Sequence, residues 1–331
     1  MNSLFGLLQA KIKNTGIKIV FPEGNDERII RAAGRLAEEN AVYPLLLGKE
    51  EQIKELANRL NINLHNIEIL DPKTNPMIEE MIPVFIEKRK GKITEEDARS
   101  TLKDENYFGT MLVEVNYAQG LVSGAVHTTA ETVRPALQII KTKPGVKKTS
   151  GVFIIFKDED RFIFGDCAIN VNPSSEDLAE IAVESAKTAK IFGIEPRVAM
   201  LSFSSNGSAI TEESTKVVQA TKMVKELVPD LIVDGEIQFD AAVVPEVARQ
   251  KVPNSPLQGN ATVFVFPNLD AGNIGYKIAQ RFGKFEAVGP VLQGLNKPVN
   301  DLSRGCSVDD VYYLSLITAS QAIEDLQSLY N

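Results

Sequence analysis

The chain has 331 residues, of which 44% are hydrophobic and 24% charged, with a formal net charge of −8. That length and balance fit a globular protein of one large domain or two ordinary ones. The acidic surplus argues against nucleic acid as a partner, because a polyanion needs a basic face, and any anionic substrate must be held by local Arg or Lys. In chain order, Ile17–Phe21 reads as a strand and Asp26 to Glu39 as a helix, with Ile29, Ile30, Ala33 and Ala37 at helical spacing. Val42–Leu47 reads as a second strand, Glu50–Leu60 as a helix and Ile67–Leu70 as a third strand. This β-α-β-α order predicts a parallel sheet covered by helices on both faces.

Met77–Arg89 and Thr94–Tyr117 read as helices, the second with capping-box spacing at Thr94 and Asp97. Gly120–Val126 reads as a strand followed by a turn and a helix through Lys141, in which Pro135 must occupy the first turn or form a kink. The basic, Pro-Gly-containing run Lys141–Lys148 marks a domain boundary. Beyond it, Gly151–Phe156 and Arg161–Phe164 read as an antiparallel pair around an acidic turn. Alternation then resumes: helix Ser175–Phe192, strand Arg197–Phe203, helix Thr211–Leu227, strand Leu231–Asp234, helix Phe239–Arg249. Strand Thr262–Phe266, helix Ala271–Phe282, strand Val288–Leu292 and a closing helix Val308–Leu329 complete the chain. A second boundary near Lys297-Pro298 lets the closing helix pack back on the first domain. The expected fold class is α/β, with two three-layer α/β/α domains and a cleft between them. Residues 1–147 and 296–331 form a discontinuous first domain, and 148–295 an inserted second one.

Several chemistries lack their motifs. Cys167 and Cys306 belong to no CxxC, so no disulfide framework is expected and the compartment reads as reducing and cytoplasmic. His65 and His127 stand far apart and no HExxH occurs, so no metal site is expected. No GxGxxG follows a strand, and there is neither a GxxxxGK[ST] nor a GxSxG. The short apolar stretch Leu4–Leu8 lacks a basic lead. With Ile12 it reads as one face of a first helix rather than a signal peptide. No run approaches the ~18 apolar residues of a membrane helix, so no membrane partner is expected.

Five polar, Gly-containing segments fall where strands end or helices begin, the places where open α/β sheets bind ligands. Ser303-Arg304-Gly305-Cys306-Ser307 with Asp310 precedes the last helix. A helix N-terminus beside an arginine makes an anion site, yet Ser307 and Asp310 also have the spacing of a plain capping box. Ser202–Ser208, containing Ser204, Ser205 and Asn206, offers hydroxyl and amide groups for a phosphoryl or carbonyl pocket, or simply caps the next helix. Asp234–Asp240 holds three carboxylates without the spacing of a calcium loop. Asn268–Gly275 has glycines that admit close backbone approach, or a tight turn. Ser123–Thr129 carries Ser123 and His127, with Arg134 in the helix beyond. The basic runs Lys141–Lys148 and Lys88-Arg89-Lys90 are either solvated surface or places to meet a nucleotide phosphate.

Taken in order, Asp301-Leu-Ser-Arg-Gly-Cys-Ser307, Ser123-Gly-Ala-Val-His127 with Arg134-Pro135-Ala136, Asp234-Gly235-Glu236 and Asn273-Ile-Gly-Tyr-Lys277 resemble the phosphate acetyl/butyryltransferase family. The resemblance spans nearly the whole chain and implies a fold like that of the isocitrate and isopropylmalate dehydrogenases. It implies reversible acetyl transfer between acetyl-CoA and phosphate, giving acetyl phosphate and CoA, and a homodimer. Coenzyme A is then a substrate and no cofactor is needed. By the same resemblance Asp310 is the base toward the CoA thiol. Arg304 binds acetyl phosphate and stabilises developing charge, and Ser303 orients the thiol or carbonyl. Arg89 and Arg134 hold CoA. Ser123, Ser204, Ser205, Asn206 and Cys306 are further substrate contacts. Phosphate butyryltransferase, or a CoA-binding protein without turnover, are the alternatives.

The chemistry sets a condition. A thiol near pKa ~8.5 and an ordinary Asp near ~3.9 are mismatched by about 4–5 units, or roughly 6 kcal/mol. Asp310 can therefore act as the base only if its surroundings raise its pKa or stabilise the thiolate, and Arg304 serves best if it faces the phosphate and carbonyl instead of pairing with Asp310. An acetyl-Cys306 intermediate is the rival route, but no histidine stands near it in sequence to activate it.

Overall fold

A computed structural model describes residues 3–328. The elements up to the middle of the chain are α1 (Ser3–Ile12), β1 (Lys18–Phe21), α2 (Glu27–Glu38), β2 (Tyr43–Leu47), α3 (Glu50–Leu60), β3 (Glu68–Leu70), α4 (Met77–Lys88), α5 (Glu95–Thr101), α6 (Glu105–Glu114), β4 (Gly120–Ser123) and α7 (Thr129–Ile139). They are followed by β5 (Ser150–Lys157), β6 (Asp160–Gly165), α8 (Ser175–Ile191), β7 (Arg197–Leu201), α9 (Glu212–Leu227), β8 (Ile232–Ile237), α10 (Phe239–Val243), α11 (Pro245–Lys251), β9 (Val263–Val265), α12 (Leu269–Arg281), β10 (Glu286–Gln293), β11 (Val299–Asp301) and α13 (Val308–Ser328). The expected end of the last helix at Leu329 lies outside the described residues. No helix among the described residues is long and apolar enough to cross a membrane. The chain divides into two compact units, Met1–Lys143 with Leu295–Asn331, and Pro144–Gly294.

The first unit is built on a parallel sheet in the order β11-β4-β1-β2-β3. Side chains alternate across a strand, and the two faces meet different helices. A Cβ at Gly109 of α6 would press on Val20 and Leu121, whereas one at Gly120 would meet Ile19 and Thr318 of α13. So α6 covers one face and α13 the other, and the sheet is buried between them as a parallel sheet requires. α2 supplies a buried stripe of Ile29, Ile30, Ala33, Leu36 and Ala37, four of them the same apolar positions whose spacing predicts the helix.

The second unit carries a mixed sheet, β10-β5-β6-β9-β7-β8. β5 pairs antiparallel with both β6 and β10, and the remaining pairs are parallel. Phe153 and Phe164 face a core shared with α10, α11 and α12, where Phe153 stacks on Tyr276 at 4.0 Å between ring centroids. The neighbouring Gly165 points the other way, with its missing Cβ directed at Ser185 and Ile181 of α8. This unit too has helices on both faces.

The differences from the sequence reading are local. The stretch Thr94–Tyr117 is two helices because Asp104 caps α6, accepting from the Asn106 and Tyr107 amides at 3.0 and 3.1 Å. A side chain that captures those amides offers the backbone an alternative to continuing the helix. Phe239–Arg249 likewise divides at Pro245, the first residue of α11, after an extended Val244. Pro135 lies inside α7 beyond its first turn, where it leaves the Glu131 carbonyl without its helical N–H. β8 runs on through Glu236, so half of the expected Asp234–Asp240 loop is strand. β11 was not expected at all: three residues are too few to show a period, and the strand exists through its pairing with β4.

Candidate active site

In the first unit the chain leaves β1 for β2 and β3 on one side, then returns to β4 on the other. The loops after β1 and β4 therefore part at the carboxyl ends of those strands, and such a switch point is where open α/β sheets bind ligands. A hollow of about 290 Å³ opens there, bounded by Glu23, Asn25, Asp26, Glu105, Val126 and His127. A larger hollow of about 520 Å³ beside Arg31, Arg35, Asn61–Asn63 and His65 contains none of the residues expected to bind substrate or act in catalysis. Convergent polar groups lie around the switch point.

Glu23 organises the loop after β4. Its buried carboxylate accepts the amides of Gly124, Ala125, Val126 and His127 at 2.7–3.1 Å, and the His127 ring Nδ1 lies 2.8 Å from Oε1. Burial pushes the Glu23 carboxyl up, but the His127 hydrogen bonds and the Val126 and Ala125 amides together outweigh it and hold the carboxyl below its ordinary value. The same Glu23 contact raises the His127 pKa, against burial. His127 is thus occupied as a structural partner. Thr128 then caps α7 in a full capping box with Glu131, which fixes the helix that carries Arg134.

Arg28 joins this loop to the segment before α13. Its guanidinium makes a bidentate pair with Asp26, through Nε at 2.9 Å and Nη2 at 2.8 Å. The remaining donors reach three carbonyls: Arg304 at 2.8 Å, Cys306 at 3.2 Å and Ala125 at 2.7 Å. The Asp26 hydrogen bond raises the Arg28 pKa against burial, so the staple stays charged. The Leu302 amide also donates to the Ser123 carbonyl at 2.6 Å. The turn that presents Ser303 and Arg304 is therefore held to the loop after β4 at several points.

Ser303 and Arg304 are exposed, and Asp310 is half-buried in the first turn of α13. The capping box is present: Ser307 Oγ accepts the Asp310 amide at 3.1 Å, and Asp310 Oδ2 accepts the Ser307 amide at 2.8 Å and its hydroxyl at 2.9 Å. Asp310 Oδ1 and the Arg304 guanidinium have no hydrogen bond or ion pair among the described residues. Arg304 is not spent on Asp310. The site thus offers a helix N-terminus, an unpaired guanidinium, a hydroxyl and a carboxylate oxygen within eight consecutive residues.

Arg89 caps the end of α4 and Arg134 is exposed on α7. Both approach Tyr107 closely enough to draw its phenol downward, against the larger upward push of burial. Two arginines far apart in sequence thus both act on Tyr107. Cys306 is buried, and its thiol is pushed up to about 11, by burial first, with Arg28 opposing. Ser123, expected to contact substrate, is fully buried at the end of β4.

In the second unit, Ser204 and Ser205 are also buried and committed to the fold of their own loop. Ser204 Oγ donates to Glu236 Oε1 at 2.8 Å, and Ser205 Oγ accepts the Gln238 amide at 3.0 Å. Of the three residues expected to contact substrate, Ser204 and Ser205 are buried and only Asn206 is exposed. The carboxylates of Asp234, Glu236 and Asp240 go to separate partners: Lys225, the Ser204–Gly207 loop, and Lys251. Among the described residues no three or more His, Cys, Asp or Glu side chains are grouped to hold a metal ion.

Sequence reasoning missed Glu23, Asp26 and Arg28. Asp26 carried a signal, since an acidic residue just ahead of an apolar helical stripe is an N-cap. Glu23 and Arg28 carried none, because their partners lie about a hundred and nearly three hundred residues away and only the topology brings them together.

A family model described as phosphate acetyl/butaryl transferase matches residues 3–319. The phosphate acetyltransferase of Bacillus subtilis is 61% identical over 323 residues, covering 98% of this chain and all of that protein. The Staphylococcus aureus phosphate acetyltransferase is 56% identical over 328 residues, with 98% of this chain and all of that protein covered. The crystal structure of a phosphotransacetylase from Streptococcus pyogenes superposes with a TM-score of 0.94 at 56% identity, covering 97% of this chain and 98% of that one. With its parallel switch-point sheet and its Ser303–Asp310 turn, the chain belongs to the phosphate acetyl/butaryl transferase family.

Proposed function

We infer that this protein is a phosphate acetyltransferase, interconverting acetyl-CoA plus phosphate with CoA plus acetyl phosphate. The observation that carries the reading is identity of 61% to the Bacillus subtilis phosphate acetyltransferase across 98% of this chain. The deciding experiment is thiol release from acetyl-CoA with and without inorganic phosphate. Release that does not depend on phosphate would overturn the reading. Equal or faster release from butyryl-CoA would favour the butyryltransferase alternative.

In the direction of acetyl-CoA synthesis, Asp310 takes the proton of the CoA thiol through the unpaired Oδ1. The thiolate attacks the acetyl carbonyl of acetyl phosphate, giving a tetrahedral oxyanion that collapses with departure of phosphate. Arg304 neutralises charge on the carbonyl oxygen and the leaving phosphate, and Ser303 orients the attacking group. Arg89 and Arg134, whose charges both act on Tyr107, suit the phosphates of CoA. Asn206 is the residue of its loop left to meet a ligand. Coenzyme A is a substrate here, and the residues named supply the chemistry without a cofactor. We further propose a cytoplasmic homodimer, in keeping with two free, buried cysteines.

Direct attack is favoured over an acetyl-cysteine route. A thiol held near 11 is almost wholly protonated at neutral pH, and a protonated thiol is a poor nucleophile. Its Sγ lies 3.6 Å from Arg28, and the nearby carboxylates of Asp310, Asp26 and Glu23 push the thiol up further and so disfavour its thiolate. Cys306→Ala is expected to keep turnover within about threefold of the parent, because only a small buried group is removed. A kinetically competent acetyl-Cys306 species, trapped by rapid quench, would reverse the assignment.

A further inference from the structure

Asp301 is the last residue of β11, immediately before the turn that presents Ser303 and Arg304. Its side chain is 1% exposed. Oδ2 accepts the hydroxyl of Thr129, the first residue of α7, at 2.6 Å. Among the described residues Oδ1 makes no hydrogen bond of normal length, and neither does the buried hydroxyl of Ser123 or of Thr132, although Thr132 lies close enough to act on the carboxyl from α7. Ser123 is the register partner of Asp301 on β4, so the two side chains share a face of the sheet. The carboxyl is seated against Gly124, where a Cβ would stand 2.5 Å from Oδ1. Gly124 also has φ +110°, a conformation that L side chains rarely adopt.

This is an unfavourable way to use an acid for stability alone. Removing a carboxylate from water costs free energy that a paired cation normally offsets. Asp301 has no ion pair among the described residues, and the charged group acting on it is Glu23, of like sign. Glu23 in turn faces His127, while Thr129 and Thr132 from α7 and Ser123 from β4 are neutral. An amide or an apolar residue of similar size would serve packing as well. Burial, with Thr129 and Thr132 opposing it, raises the Asp301 carboxyl to about 6. Costly, under-satisfied polar groups concentrate where a site needs them.

We infer that Asp301 is a positioning residue for acetyl transfer: through Thr129 it locks the Ser303–Arg304 turn to the first turn of α7, so that Arg304 and Arg134 keep a fixed separation. This rests on the reading of the protein as a phosphate acetyltransferase. A displacement of about 1 Å in such a site costs about a hundredfold in rate, so one hydrogen bond between two loops has leverage. The role explains why the acid is kept where its charge is disfavoured.

The test uses the full chain and four variants: Asp301→Asn, Asp301→Ala, Thr129→Val and Thr129→Ser. The sign of the stability effect follows from the raised carboxyl. A group whose folded pKa exceeds its unfolded value loses stability as pH rises through the folded pKa. Asp301→Asn removes that penalty, so its thermal midpoint is expected to match or exceed the parent's at pH 8 and to gain less at pH 5. Its kcat is expected to fall about tenfold to a hundredfold, with KM for CoA within about threefold because the CoA arginines are untouched. Thr129→Val is expected to reproduce the kcat loss and Thr129→Ser to restore it. Should the Asp301 variants fail to fold, the Thr129 pair alone decides. Asp301→Asn with kcat within twofold of the parent, or a kcat loss matched by a lower midpoint at pH 8, overturns the inference. Phosphate-independent thiol release by the parent chain would overturn the functional reading instead, and the two failures are thus distinct.

Discussion

Asp310→Asn is expected to lower turnover at neutral pH by about 10²–10⁴-fold, the usual worth of a positioned general base, while leaving the fold intact. The separation is possible because the cap uses one oxygen of Asp310 and the proposed base the other. Oδ2 closes the capping box with Ser307, and Oδ1 is unpartnered among the described residues. An asparagine keeps a carbonyl oxygen to accept the Ser307 amide, so most of the cap survives, and only the proton acceptor is lost. Ser307→Ala is the complementary variant. It removes the N-cap hydroxyl, costing about 1 kcal/mol of stability, yet leaves the carboxylate in place. Turnover and thermal midpoint measured on both should move in opposite patterns: activity without stability for Asp310→Asn, stability more than activity for Ser307→Ala. Near-full turnover by Asp310→Asn would remove the base assignment. Equal losses of both quantities in both variants would reduce the segment to a helix cap.

The pair also shows what could be read from sequence and what could not. Pattern alone offered Ser307 and Asp310 as a capping box and Ser303–Cys306 as an anion turn; the structure shows the box, with Ser303 and Arg304 exposed beside it. The box is local, so spacing reveals it. The parallel sheet of the first unit was legible for the same reason: Ile29, Ile30, Ala33 and Ala37 declare a helix, and the apolar runs on either side declare strands. What stayed hidden was whatever depends on distant partners. β11 is a strand only because β4 lies beside it. Arg28 looked like any charged residue in a first helical turn, yet it binds carbonyls of Arg304 and Cys306. Ser123, Ser204 and Ser205 looked like exposed polar loop residues, and the fold buries all three. Hydroxyls at strand ends are chosen for surface loops and for buried loop architecture alike, and only burial separates the two.

Arg304→Ala is expected to cost about 10²–10³-fold in turnover, the loss seen when one donor to a developing oxyanion is removed. Arg304→Lys should recover only part of it. The physical reason is the shape of the donor set. Charge spreads in the transition state over the carbonyl oxygen and the departing phosphate, and a planar guanidinium can address both with parallel N–H groups. A lysine supplies one point charge on a flexible stem. Position matters as much as charge, and the backbone of Arg304 is fixed from behind by Arg28, whose own guanidinium is held by Asp26. The exposed arginine is thus mounted on a stapled turn, with its side chain free for ligand. That arrangement predicts a kinetic signature. Arg304→Lys should raise KM for acetyl phosphate modestly and lower kcat more, because the bidentate geometry is needed chiefly in the transition state. The thermal midpoint should hardly change, since the side chain makes no ion pair among the described residues. A lysine variant with parental kcat would mean that Arg304 only attracts the anion. The oxyanion would then have to be stabilised by the amides at the N-terminus of α13, where the helix dipole already favours negative charge.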